Sequence, residues 1–148
     1  MTQIEEAVDR GLKAWHERDM EAFAGCYAED AVLAAPGGME LHGRDGARQF
    51  FAMWNQACPD NRLEITSRYV DGDVLIEEGV FHGTQTGEMM TPTGMAIPPT
   101  GRTLSGDYAD VFKLGDGGLI KSERLYFDQM QLLMQLGLVS EMEGAAAS

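Results

Sequence analysis

The second half of the chain alternates its side chains, and that alternation leaves few folds open. Leu63 to Val70 sets Leu63, Ile65, Ser67 and Tyr69 on one side and Glu64, Thr66 and Arg68 on the other, the period of a strand. Asp71-Gly72 is a hairpin turn, so the chain doubles back into a long strand over Val74 to Thr86. Along it Ile76, Glu78, Val80 and His82 share one face and Leu75, Glu77, Phe81 and Gln85 the other, with Gly79 and Gly83 predicting a bend or bulge. Thr103 to Lys113 and Leu119 to Asp128 form a further antiparallel pair across Gly115-Asp116-Gly117-Gly118. A meander of this length has to bury one face, and the apolar surface to cover it lies upstream.

Thr2 and Glu5 have the form of a capping box, followed at helical spacing by Ile4, Ala7, Val8, Gly11, Leu12 and Trp15, which predicts a helix to about Arg18. Asp19 caps a second, shorter helix presenting Ala22, Phe23 and Tyr27, closed by Asp30. Ala31–Ala35 and Met39–His42 flank Pro36-Gly37-Gly38 as a small hairpin. A third helix starts at Gly43 to Asp45, buries Ala47, Phe50, Phe51 and Trp54, and stops at Pro59-Asp60. Thr91 to Gly101 holds three of the five prolines and reads as an ordered loop or flap; Met89, Met90, Met95 and Ile97 either cap a pocket or pack on the sheet. Met130 to Leu138 forms a closing helix, and 140–148 is a small-residue tail expected to fray. Helices first and then a long meander predict an α+β fold, with the helices gathered on one face of a curved sheet.

At 148 residues the chain suits one domain, 1–148, with a core that needs no staples. A formal net charge of −13 argues against nucleic acid and anionic membrane as partners, because both would be repelled. Cys26 and Cys58 lack any CxxC or Cys/His spacing, the N-terminus lacks the blocks of a secretory signal, and no apolar run nears the roughly 20 residues of a membrane span. A reduced, cytoplasmic protein is expected. The absence of HxxxH, HExxH and phosphate-cradling glycine motifs predicts no metal and no nucleotide cofactor.

Chemistry concentrates on the last strand, where alternation puts Ser122, Arg124, Tyr126 and Asp128 on one face, a guanidinium, a phenol and a carboxylate in line. Arg124 is either the structural partner of Asp128 in a buried ion pair or a group that polarises a substrate while Asp128 moves a proton. On the preceding strand Tyr108 and Asp110 join that face across a three-residue loop, whereas a two-residue loop substitutes Asp107 and Ser105. Asp110 with Arg124 and Asp128 would activate a water, a hydratase or hydrolase chemistry. His82 and Glu78 share a face of the long strand, and His82 is the histidine placed to enter a cavity or, equally, a strand histidine satisfied by backbone or water. Trp54 and the other aromatics and methionines either line an apolar pocket or form plain core.

The order of elements, with GRDGARQFF at Gly43 to Phe51, FHGTQTGEM at Phe81 to Met89, IPPTGR at Ile97 to Arg102 and YFDQMQLLMQLGL at Tyr126 to Leu138, resembles the SnoaL-like polyketide cyclase family of the nuclear-transport-factor-two-like superfamily. The resemblance implies a cone-shaped α+β barrel around an apolar cavity. It also implies an intramolecular aldol ring closure on a polyketide-like carbonyl substrate, with no metal or organic cofactor and with Asp128 as acid and base. Catalytic Asp128, Arg124 and Asp110, and substrate contacts from Tyr126, His82, Glu78, Trp54 and Tyr108, are the expectation. A homodimer through the outer sheet face is expected as well, since broad alternating strands need covering. A hydratase, hydrolase or isomerase using the same face, and a non-catalytic small-molecule carrier, remain open alternatives.

Overall fold

The structure, a computed structural model, describes residues 1–91 and 94–139; the tail expected to fray, 140–148, lies outside the described residues. The first helix, α1 (Gln3–His16), begins at the predicted capping box. Thr2 Oγ1 accepts the Glu5 N–H at 3.3 Å while the Glu5 carboxylate accepts the Thr2 N–H at 3.0 Å. Asp19 caps α2 (Met20–Ala24) through the Ala22 N–H. That helix ends at Gly25, so the predicted continuation through Tyr27 to Asp30 is overturned: those residues open β1 (Tyr27–Ala35). Tertiary burial outweighs local spacing here, because Tyr27 pairs with Ile120 across the sheet and packs its ring on Phe23 at 5.1 Å. The hairpin is completed by β2 (Met39–His42), and α3 (Gly43–Ala57) buries Ala47, Phe50 and Phe51.

The meander follows as β3 (Arg62–Asp71), β4 (Val74–Thr84), β7 (Thr103–Leu114) and β8 (Ile120–Phe127). The predicted flap contains a two-rung hairpin of its own, β5 (Met89–Met90) with β6 (Ala96–Ile97), and α4 (Gln129–Gln135) closes the described chain. The main sheet runs β2-β1-β8-β7-β4-β3, antiparallel except where β1 lies parallel to β8. It is an α+β fold with a mainly antiparallel, curved sheet that does not close, since β2 and β3 remain its edges. Helices α1 to α3 cover the concave face, and Trp15, Phe23, Phe50 and Phe51 form the aromatic centre of the core between them.

Two bulges set which side chains reach that core. Between Ile65 and Ser67 the β3–β4 register slips by one residue at Thr66, so the expected common face of Leu63, Ile65, Ser67 and Tyr69 breaks: Arg68 turns inward opposite Glu77 and Tyr69 turns out. On β8 the extra residue is Lys121, since Lys113 pairs with Ser122 and Leu114 with Ile120. Beyond it Asp110 lies opposite Leu125, and Val111 opposite Arg124.

Candidate functional site

Each central strand shows the core a run of apolar side chains broken by one acid. On β4 Leu75 and Phe81 flank Glu77; on β7 Leu104, Tyr108 and Phe112 flank Asp110; on β8 Leu125 and Phe127 follow Glu123. Glu77 and Asp110 are directly opposite one another in the β4–β7 ladder, and Asp110 meets Glu123 on β8 through a hydrogen bond between their carboxyls. All three are buried, at 3%, 7% and 4% exposure. They floor a cavity of about 110 Å³ walled by Trp15, Phe23, Phe50, Trp54 and Phe81 and roofed at its mouth by Asp128, Gln131 and Leu132.

The acids are held differently. Glu77 accepts from Arg68 Nε at 2.9 Å, and Arg68 Nη1 reaches Asp9 on α1 at 2.5 Å. Burial raises the Glu77 proton affinity and Arg68 partly offsets it. Glu123 accepts the Tyr27 phenol at 2.5 Å and also the Asp110 hydrogen bond. Burial raises its pKa, and these two donors pull it back. Among the described residues it is other acids, not a cation, that act on Asp110. Burial first, then the charge of Glu123, push its pKa well above the carboxylate range. The consistent arrangement has Asp110 keeping its proton and donating it to Glu123.

Two buried polar atoms here have no hydrogen-bond partner among the described residues: Asp110 Oδ1 and Tyr108 Oη. Both side chains are more than nine-tenths buried and both line the cavity. Tyr108 fits there because Gly79 stands opposite it, where a Cβ would come within 2.7 Å of the phenol oxygen. Burial and the neighbouring acids keep that phenol protonated to high pH, so it is a donor. Buried polar atoms of this kind cost stability unless something pairs with them. A phenol donor and a carboxyl oxygen facing an apolar space are built to take an oxygen-bearing ligand.

The expected site residues separate into three groups. Asp110, Tyr108 and Trp54 line the cavity, with Trp54 packed edge to ring against Phe127 at 5.6 Å and on Phe81 at 5.4 Å. Asp128 lies at the mouth, exposed, where its carboxylate caps α4 by accepting the Gln131 N–H at 3.1 Å. Arg124, Tyr126, Glu78 and His82 point away from the cavity. The inner face of β8 is Glu123, Leu125 and Phe127, so the expected inward line of Arg124, Tyr126 and Asp128 is corrected: Arg124 is exposed, Tyr126 is 51% exposed, and no ion pair joins Arg124 to Asp128 among the described residues. Tyr108 and Asp110 do not join the Arg124 face either; Asp107 and Ser105 do, because the Lys121 bulge fixes the register. His82 sits on the outer side of β4 and pairs with Glu64 at 2.9 Å, and Glu78 is exposed beside it. Glu77, Glu123, Tyr27 and Arg68 went unrecognised in the sequence, although a lone acid on the apolar face of each strand was there to be read. Among the described residues no three His, Cys, Asp or Glu side chains converge so as to hold a metal ion.

A family model described as a SnoaL-like domain matches residues 8–123, a span that takes in the three buried acids and ends before Asp128. No curated protein matches the chain. Among solved structures it is similar to a candidate SnoaL-like polyketide cyclase from Jannaschia sp. CCS1, at 18% identity over 93% of this chain and 94% of that one, with a TM-score of 0.81. It is similar to TsrD from Streptomyces laurentii at 25% identity over 93% and 96%, with a TM-score of 0.76. A protein with a ketosteroid isomerase-like fold from Catenulispora acidiphila DSM 44928, solved in complex with trimethylamine, matches at 23% identity over 90% and 94%, with a TM-score of 0.72.

Proposed function

The chain belongs to the SnoaL-like domain family, and from that premise we propose that it is a cytoplasmic acid-base enzyme of secondary metabolism that closes a ring by aldol addition within a polyketide-like carbonyl substrate. The observation that carries this reading is the pair of unpartnered polar atoms, Asp110 Oδ1 and Tyr108 Oη, on the floor of an otherwise apolar cavity.

The steps balance without a redox partner or an organic cofactor. Asp110 takes a proton from the carbon next to a carbonyl and passes its own proton to Glu123, so the pair gains one proton in total. The Tyr108 hydroxyl donates to the carbonyl oxygen as negative charge develops there. The enolate carbon bonds to a second carbonyl carbon, and the alkoxide that forms takes the proton back from the pair. Substrate and product have the same mass. A buried anion is a strong base because water no longer stabilises it, which is what Glu123 behind Asp110 supplies.

A second assignment rests on the placement of Asp128 at the mouth of the same cavity, where one carboxylate oxygen caps α4; there it would do the acid-base work that the family resemblance implies. Heptane-2,6-dione separates the assignments. In water, ring closure gives a hydroxycyclohexanone of unchanged mass, and in D₂O exchange next to the carbonyls reports proton removal alone. Asp110→Asn should lower both rates by roughly 10² to 10⁴, whereas Asp128→Asn abolishes them only if the mouth carboxylate is the base. A product lighter by one water is the cyclohexenone that closure followed by dehydration gives, and it also counts for ring closure, whereas tight binding with neither exchange nor closure would mark a carrier.

The reading includes a homodimer through the outer sheet face, where Tyr69, Tyr126 and Ile76 are 57%, 51% and 39% exposed. Light scattering that finds only monomer at micromolar concentration would refute that part.

A further inference from the structure

A second cavity adjoins the first. It has a volume of about 260 Å³ and its walls are almost wholly apolar, with Met39 from β2, Met53 from α3, Met89 from β5, Ile97 from β6 and Leu133 from α4. Met89 and Ile97 are themselves buried, in a small core with Ala57, Leu104 and Leu136 that ties the β5–β6 hairpin to the body of the protein. Three side chains, Trp54, Phe127 and Leu132, line both cavities. Trp54 and Phe127, which stand between the two lining sets, are only half-buried.

The two spaces differ in kind. The acids and Tyr108 belong to the first, while the second contains no charged side chain among the described residues. Methionines are unbranched and polarisable, and they adapt to irregular apolar shapes better than branched residues do. Size decides between one site and two. Pockets that hold small organic ligands run from roughly 300 to 1,000 Å³, and neither cavity, at about 110 and 260 Å³, reaches that range alone. Together they do.

We infer that the two cavities are the head and tail subsites of one binding site, which takes an elongated ligand whose carbonyl end meets Tyr108 and Asp110 and whose hydrocarbon end passes Trp54 and Phe127 into the methionine-lined chamber. The inference extends the proposed function to a class of substrate, a ketone carrying a long apolar extension, and rests on that reading only for the identity of the head group.

Binding of 2-alkanones from 2-pentanone to 2-undecanone, measured by isothermal titration calorimetry, tests it. Affinity should rise about fourfold for each methylene that enters the second chamber, the factor expected for a fully buried CH₂, and then level off when the chamber is full. Met53→Trp and, as an independent variant, Met39→Phe fill the tail chamber from α3 and β2 respectively. Each should leave 2-pentanone affinity within twofold and flatten the dependence on chain length. Circular dichroism shows whether each variant is folded. An affinity that does not change with chain length in the wild type, or a length dependence that survives in both folded variants, overturns the inference. Tyr108→Phe keeps the two readings apart: it should weaken every ketone by the same factor and leave the length dependence intact. A variant that binds every ketone as the wild type does would count against the head group of the proposed function while leaving the tail subsite standing.

Discussion

Both faces of the central sheet carry ionisable groups, and they do different things with them. On the outer face, Glu78, Arg124 and the His82–Glu64 pair stand in water, where charge is screened and an ion pair contributes about 0 to 1 kcal/mol. On the inner face, Glu77, Asp110 and Glu123 are enclosed by aromatic rings, and the loss of water changes whether each holds a proton. The difference lies in solvation and not in residue type, and it turns on two single-residue bulges, at Thr66 and Lys121, which decide the side each group takes. The acids are partnered unequally as well. Glu77 is tied to a cation and so is built to stay put, whereas Asp110, tied only to another acid, is built to exchange a proton.

The sharpest way to break this contrast is to remove one group from each face of neighbouring strands. Asp110→Asn should reduce turnover by roughly 10² to 10⁴, whereas Arg124→Gln, one strand away on the outer side, should stay within about twofold of wild type in the same assay. Equal losses would show that the outer face takes part in chemistry. The next largest effect is on stability. Arg68→Ala strands the buried Glu77, at a cost of about 3 to 5 kcal/mol, while His82→Gln removes only the half-buried partner of the exposed Glu64 and should cost less than about 1 kcal/mol. Urea unfolding of both variants checks this. Because Glu77 can relieve itself by taking up a proton, the Arg68→Ala loss should shrink as pH falls. A loss independent of pH would mean that Arg68 contributes through packing and not through charge.

A smaller test concerns shape. Gly79→Ala places a methyl group 2.7 Å from the Tyr108 oxygen and 2.8 Å from the Glu64 carbonyl, and overpacking of that kind costs about 1 to 3 kcal/mol. Adding Tyr108→Phe should recover part of it by removing the hydroxyl, leaving the clashes with the ring Cζ and the Glu64 carbonyl, both at 2.8 Å. On the outer side, Glu78→Ala should lie within about 0.5 kcal/mol of wild type. If the double variant unfolds at the same urea concentration as Gly79→Ala alone, Tyr108 has room to move and is not fixed in its place by the glycine.

Much of this architecture was legible in the sequence. The capping box at Thr2 and Glu5, the spacing of α1 and α3, and the turns at Asp71-Gly72 and Gly115 to Gly118 are local signals, and the elements formed where those signals placed them. Tyr27 was misplaced because its strand is defined by a partner, Ile120, far along the chain. The cavity lies on the face opposite Arg124 and Tyr126 for a related reason. In the sequence Arg124 and Tyr126 run on into Asp128 as a conspicuous line of polar groups, and polar groups in line point to chemistry; in the structure the first two lie on the outer side of β8 and Asp128 follows the strand as the cap of α4. Alternation read for burial gives the opposite answer, because Leu125 and Phe127 need the core more than Arg124 and Tyr126 do. The acid sharing that apolar face, Glu123, then becomes the anomaly to explain. Arg68 could not be placed by pattern, since nothing local announces that Thr66 is bulged.

The remaining predicted effect is a slope, and its sign separates the two faces. A carboxyl whose pKa is higher in the folded protein than in the unfolded chain binds more protons when folded. Its contribution is fully present below the unfolded pKa of about 4 and is lost as pH rises through the folded pKa. Asp110 and Glu123 are both shifted upward, chiefly by burial, so the pair should make the protein less stable to urea as pH climbs from about 4 toward neutrality. The limit is about 1.4 kcal/mol per pH unit for each proton by which the two states differ. Exposed carboxylates held by donors, such as Asp60 under the Thr84 N–H, are shifted downward and give the opposite sign, at more acidic pH. Subtracting the stability profile of Asp110→Asn from that of the wild type removes the shared background. The difference should slope downward with pH, because Asn cannot lose a proton where Asp110 must. An upward slope would mean that Asp110 is ionised and stabilised in the fold, and the proton relay through Glu123 would then have no proton to pass.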